Sequence, residues 1–513
     1  MEYIKLLNDK LHKLGHSVTG LSCGIVIGCL VIFLSLYLRI NHSYYNMEKF
    51  CKLDPSSFSN PDEVSIEFLH LNLSVDFKRE VLTGEVKLKL NKKNQDSKIL
   101  ALDVKDLKIS QVYDTSDGSS LQYTVSEPVG SIGSKMEITL NNNNNLKIEI
   151  GIKYETSPKA TALQWLDAKQ TAGRVHPYLF SQCQAIHCRS IIPCQDTPFV
   201  KMPYTAEISA PAELVVLMSA VRNGTSEPNN GRRIHRFEQK IPIPSYLIAI
   251  AVGDLQSRKI GPRSHVWSEK EFVDKAAYEF AETETMLKTA EDICGEYIWG
   301  IYDLLLLPPS FPFGGMENPC LTFVTPTLLA GDRSLATVIA HEISHSWTGN
   351  LVTNLNFDHF WLNEGFTMFL ERKIQSRMFG EQYRHFSALN GLKDLNDAIQ
   401  EFGPKSPFTK LVVDLKGGIS PDDAFSSVPY EKGHTFLFYL EELVGGAAKF
   451  EPFLKSYLNT YKYKSIDTDE FKKYFLHYFK NNDAVKKIDW TSWLYSPGAP
   501  IVIPNYDTTL ADE

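Results

Sequence analysis

The 513-residue chain has little excess charge and little cysteine, and each shortage removes a class of function. Lys and Arg number 53 against 61 Asp and Glu, a formal net charge of −8. No basic block with interleaved aromatics is present, so the electrostatic footprint of a nucleic-acid-binding protein is missing. The 8 cysteines make no disulfide framework. Cys23 and Cys29 fall in an apolar run, and Cys183, Cys188 and Cys194 cluster without the paired spacing of a zinc ribbon. No internal repeat is found.

In one stretch charge is missing altogether. From Ser17 to Leu38, "SVTGLSCGIVIGCLVIFLSLYL" runs 22 residues without Asp, Glu, Lys or Arg. At ~1.5 Å per residue this matches the ~30 Å hydrocarbon core of a bilayer. A cleaved signal peptide has a shorter apolar run, roughly 7–15 residues, and a small-residue cleavage site, which is lacking here. The pattern predicts an N-terminal tail at 1–16, an uncleaved transmembrane anchor at 17–38 and a polar stalk at 39–60. Lys5, Lys10 and Lys13 before the span nearly balance Arg39, Lys49 and Lys52 after it. A short tail ahead of a large folded part favours a single-pass type II protein with that part outside the cytosol. A cytosol-facing arrangement is the alternative. The sequons at Asn41, Asn72 and Asn223 permit the first.

The rest is too long for one hydrophobic core. "EVKLKL" alternates at Val86, Leu88 and Leu90, and "LKIEIGIKY" at Leu146, Ile148, Ile150, Ile152 and Tyr154. The asparagine run 141–145 reads as a hairpin loop between two such strands. These signals predict a β-rich domain over 61–253. After Gly253 the period changes to that of amphipathic helices, beginning at "SEKEFVDKAAYEF" with Ser268 as N-cap. A mostly α domain is expected over 254–496 and an extended, Pro-containing tail over 497–513. The fold class is multidomain α+β with an N-terminal transmembrane helix.

The chemistry begins at "VIAHEISHSWTGN". His341 and His345, four apart, share one helical face and can reach one ion. Zinc hydrolysis needs three protein ligands and an open position. "WLNEGFTMFLERK" offers Glu364 on a second helix-like stretch, with 18 residues between it and His345. Glu342, beside the first ligand, is placed to take a proton from zinc-bound water. Upstream, "PPSFPFGGMENPCLTF" carries a lone carboxylate, Glu317, framed by Gly314, Gly315 and Asn318. A carboxylate near the metal can hold the free α-ammonium group of a peptide and exclude internal segments, which lack that charge.

"GGMEN", "HEISH" and "NEG" in that order resemble the gluzincin aminopeptidases of family M1. "YLFSQCQAIHCRSIIPCQDTP", "DHFWLNEG" and "SSVPYEKG" narrow the likeness to the leukotriene A(4) hydrolase group, over about 60–510. The resemblance implies a saddle-like β domain followed by a thermolysin-like catalytic domain. It implies one Zn2+ per chain on His341, His345 and Glu364, with Glu342 as general base. Glu317 and Gln184 would hold the substrate amine, in a pocket with Gln182, Gly314, Gly315, Met316, Asp422 and Phe425. Tyr430 would hydrogen-bond the oxyanion, and Pro429 suits the first turn of its helix.

Three departures stand out. That group has tyrosines where this chain has Phe313 and Phe425. It continues into a C-terminal helical domain that carries a basic residue for substrate carboxylates. It lacks a membrane anchor. The expected activity is therefore zinc aminopeptidase action on peptides with a free N-terminus. Epoxide hydrolysis of the leukotriene A(4) hydrolase type, for which Asp422 matches the water-directing acid, is the alternative. A non-catalytic, membrane-anchored peptide-binding protein is a second one, disfavoured because no metal ligand and no base is lost.

Overall fold

Strand alternation builds the first half. In Val64–Asp76, Leu69, Leu71, Leu73 and Val75 are buried while Glu67 and Asn72 face solvent, the period-two signature of a half-buried sheet. Val86, Leu88 and Leu90 on Val81–Lys92 are each 0% exposed. The computed structural model describes residues 50–141 and 145–512. Its largest sheet runs, edge to edge, Val221–Thr225, Arg232–Pro244, Lys201–Pro211, Val64–Asp76, Val81–Lys92, Lys147–Glu155 and Lys108–Asp114. Val64–Asp76 and Lys201–Pro211 pair in parallel, and the other neighbours are antiparallel.

Two local expectations are corrected. The strand Ser134–Thr139 pairs with Ile99–Val104 and Tyr123–Val125, whereas Lys147–Glu155 belongs to the large sheet. The 141–145 run thus connects two sheets and not the arms of a hairpin. Alternation reveals that a segment is a strand but not which partner it takes. Ser268 closes the strand His265–Ser268, and the helical pattern after it breaks into Val273–Glu279 and Thr283–Cys294. It caps no helix. A five-stranded sheet over residues 256–324, interleaved with these two helices, therefore comes ahead of the longer helices.

Those helices include Thr337–His345, Trp361–Phe379, Glu381–Phe402 and Val428–Val444. Trp361–Phe379 and Val428–Val444 cross where Gly365 meets Gly433. A Cβ at Gly365 would lie 2.8 Å from Gly433 Cα, and one at Gly433 would lie 2.7 Å from Gly365 Cα. Two glycines let these backbones touch, which brings Glu364 and Tyr430 to the same place.

Among the described residues no helix is long and apolar enough to cross a membrane. A span needs about 20 mostly apolar residues, and Trp361–Phe379 carries Glu364, Glu371, Arg372, Lys373 and Arg377. The expected tail 1–16, the anchor 17–38 and residues 39–49 of the stalk lie outside the described residues. No described helix supports the single-pass membrane placement.

Candidate metal centre and substrate cleft

His341 and His345 come from one helix and Glu364 from the next, and their donor atoms converge. The two Nε2 atoms are 3.2 Å apart. Glu364 Oε2 lies 3.5 Å from His341 Nε2 and 3.3 Å from His345 Nε2. That oxygen is buried and makes no hydrogen bond of its own. Each imidazole is oriented from its far side. His341 Nδ1 is 3.0 Å from Glu371 Oε2, and Gln375 Nε2 donates to Glu371 Oε1 at 2.8 Å. His345 Nδ1–H donates to the Thr348 carbonyl at 2.9 Å. These bonds leave both Nε2 lone pairs directed inward, which is what metal ligation needs. Gly349 is required beside them, because a Cβ there would lie 2.9 Å from His345 Nδ1.

Charge tells the same story. Burial raises the pKa of Glu364, but the His345 and His341 imidazoles outweigh it and hold the carboxyl below its usual range. Burial lowers the pKa of His345, and Glu317 and Glu364 overcome it, pushing the ring up to about 9. Burial also raises Glu342 and Glu317. Three buried carboxylates around two imidazoles form a site that gains from a divalent cation. Two imidazoles and one carboxylate, with their inward atoms within 4.8 Å of one another, suit Zn2+.

Glu342 follows His341 on the helix. Its carboxylate sits against Gly315, where a Cβ would lie 2.2 Å from Glu342 Oε1. The glycine of "GGMEN" thus makes the room this acid occupies. Glu317 is buried, and its oxygens lie within 4.8 Å of donor atoms on Glu342 and His345. Gln184 Nε2 donates to Glu317 Oε1 at 3.4 Å, and Asn350 Nδ2 donates to the Glu317 carbonyl at 2.8 Å. The Tyr430 ring stacks on His341 with centroids 6.0 Å apart, and Phe360 and Phe425 each meet it edge-on at 6.2 Å. Burial and the charges of Glu364, Glu317 and Glu342 push its hydroxyl well above the ordinary value, so it is a neutral donor.

His341, His345, Glu364, Glu342, Glu317, Gln184 and Tyr430 line one cleft of about 680 Å³, together with Gly314, Gly315, Met316, Phe313, Asp422 and Phe425. Gln182 does not line it: its Nε2 lies 3.1 Å from Met316 Sδ, behind the cleft wall. Glu371 and Thr367, whose hydroxyl lies 3.1 Å from His345 Nδ1, were not singled out from the sequence. Glu371 stands seven residues, two helical turns, after Glu364. That spacing puts both acids on one face and could have identified it.

Residues 278–493 match the peptidase family M1 domain, and 44–247 match the peptidase M1 N-terminal domain. Leukotriene A-4 hydrolase of Xenopus laevis is 53% identical over 464 residues, 90% of this chain and 76% of that protein. The chain belongs to peptidase family M1. Leucine aminopeptidase 2 of Coccidioides immitis (strain RS) is 46% identical over 468 residues, 90% of this chain and 75% of that protein. Among solved structures, yeast LTA4 hydrolase in complex with bestatin superposes with a TM-score of 0.85 at 45% identity. It covers 90% of this chain and 72% of that one. An M1 zinc metallopeptidase from Deinococcus radiodurans shares the fold, with a TM-score of 0.70 at 20% identity, over 89% of this chain and 100% of that one. Its cofactor as an M1 peptidase is Zn2+, one ion per chain. The expected single-pass membrane placement with the catalytic part outside the cytosol is corrected by the likeness over 90% of the chain to leukotriene A-4 hydrolase and leucine aminopeptidase 2.

Proposed function

We propose that this chain is a zinc aminopeptidase that releases N-terminal residues from peptides. The observation that carries the reading is Glu317, a buried second carboxylate beside His345 and Glu342 in the cleft of a metal site. A saddle-like domain at 61–253 and a thermolysin-like domain at 254–496 build that cleft, with 497–513 as a tail. His341, His345 and Glu364 hold the ion. Zinc, when bound there, polarises the scissile carbonyl and makes water acidic enough to attack at neutral pH.

The chain's own residues do the rest. Glu317, helped by Gln184, holds the α-ammonium group and sets the first peptide bond at the reaction centre, a gain from orientation. Glu342 takes a proton from the attacking water and delivers it to the departing amine. The Tyr430 hydroxyl donates to the oxyanion as it develops. Gly314, Gly315 and Met316 form the wall along which the peptide lies, and Asp422 and Phe425 stand at the rim.

Purified protein loaded with zinc should hydrolyse arginyl, alanyl or leucyl anilides. Full zinc occupancy with no turnover on any of them contradicts the reading. Epoxide hydrolysis is the second reading, favoured by the placement of Asp422 in the same cleft. Incubation with leukotriene A4 and identification of a dihydroxy product tests it.

A further inference from the structure

We infer that His187 is a positioning residue for the substrate cleft. Its bond to Asp422 staples the loop that carries Gln184 to the turn that carries Phe425, and so sets the width of the cleft mouth. His187 Nε2 lies 2.8 Å from Asp422 Oδ2, across 235 positions of the chain. His187 Nδ1 lies 2.9 Å from Thr161 Oγ1. Nε2–H donates to the Asp422 carboxylate, and Nδ1 bonds the Thr161 hydroxyl, which can either donate or accept. Both ring nitrogens are thereby committed.

Each end of the staple is itself fixed to a cleft wall. The His187 N–H donates to the Cys183 carbonyl at 2.8 Å, and the Ser190 hydroxyl donates to the His187 carbonyl at 2.7 Å. His187 and Gln184 therefore move as one turn, and Gln184 reaches Glu317. On the other side, Asp422 sits in the 3-10 turn Pro421–Ala424, whose Ser420 hydroxyl accepts from Asp422 N at 3.3 Å. Phe425 follows directly and meets both Phe313, at 5.8 Å, and Tyr430, at 6.2 Å. The first wall belongs to the match with the M1 N-terminal domain and the second to the peptidase domain. His187 does not line the cleft and touches no proposed metal ligand, so its loss should loosen substrate binding and leave the proton transfers alone.

The kinetic test rests on the aminopeptidase reading. The Asp422 side chain is half exposed and the imidazole 21% exposed. A pair of this kind is modest in strength, so His187→Ala should raise KM for a leucyl tripeptide about fivefold with kcat within about twofold. His187→Phe, which keeps the ring volume without the donor, should do the same. His187→Gln, which keeps a donor, should restore KM to within about twofold. The double variant His187→Ala/Asp422→Ala should be no worse than Asp422→Ala, because both remove one interaction. In a Glu342→Gln background, calorimetry with the same tripeptide should show the about fivefold loss as a rise in Kd. An unchanged Kd and KM, a loss confined to kcat, failure of the Gln rescue, or multiplying effects in the double variant would overturn the staple. Wild-type protein that binds the tripeptide but never cleaves it would overturn the aminopeptidase reading instead.

Discussion

The two corners of the cleft are held in different ways. The metal corner is local: His341, His345 and Glu364 lie on two helices that follow one another, and each imidazole is oriented by a bond of 2.9–3.0 Å. The amine corner is long-range. Gln184 approaches Glu317 across 133 positions of sequence, through a single 3.4 Å contact. A metal site benefits from ligands fixed before the ion arrives, because every misplaced donor costs affinity. An amine site must admit and release a different first residue at each turnover, so a looser hold is an advantage there.

Breaking the proton-transfer machinery at the metal corner should give the largest effect. Glu342→Gln should lower kcat by about a thousandfold while zinc content stays at one per chain, checked by anilide turnover beside metal analysis. Breaking the amine corner should cost less and show in a different parameter. Glu317→Ala should reduce kcat/KM by about a hundredfold on substrates with a free N-terminus, checked by steady-state kinetics on a leucyl anilide. Below that comes the support of the metal corner. Glu371→Gln keeps the volume but weakens the grip on His341, and chelator competition should report a loss of zinc affinity of about 10–100-fold. The smallest effect tests the helix crossing that joins the corners. Gly365→Ala forces a Cβ against the Gly433 backbone and should destabilise the fold by about 1–3 kcal/mol in denaturant titration.

The same contrast explains what could be read in the sequence. The metal corner was legible because helical periodicity is a local rule: histidines four positions apart put two rings on one face, and Pro429 marked the start of the Tyr430 helix. Val86, Leu88 and Leu90 likewise announced a buried strand face. The amine corner was not legible from spacing, since nothing local ties Gln184 to Glu317; only the family resemblance pointed there. Pairing partners of strands were hidden for the same reason, and the 141–145 run was read as a hairpin loop. The glycines at 315, 365 and 433 were present in the motifs, but the atoms they make room for belong to other elements. Gln182 sits two residues from Gln184, beyond the end of the strand Tyr178–Ser181, and its amide lies against Met316 Sδ and not in the cleft. Ser268 has the chemistry of an N-cap, but strand pairing with Gln256 claims it.

The central claim is that the cleft pairs a zinc site with an anchor for a free amine. Its most direct measurement is the cleavage of two peptides identical except for N-acetylation, by zinc-loaded protein, followed by mass spectrometry of the products. The account predicts stepwise loss of N-terminal residues from the free peptide and no cleavage of the acetylated one. Internal cleavage of both peptides, or equal rates on the two, would contradict it.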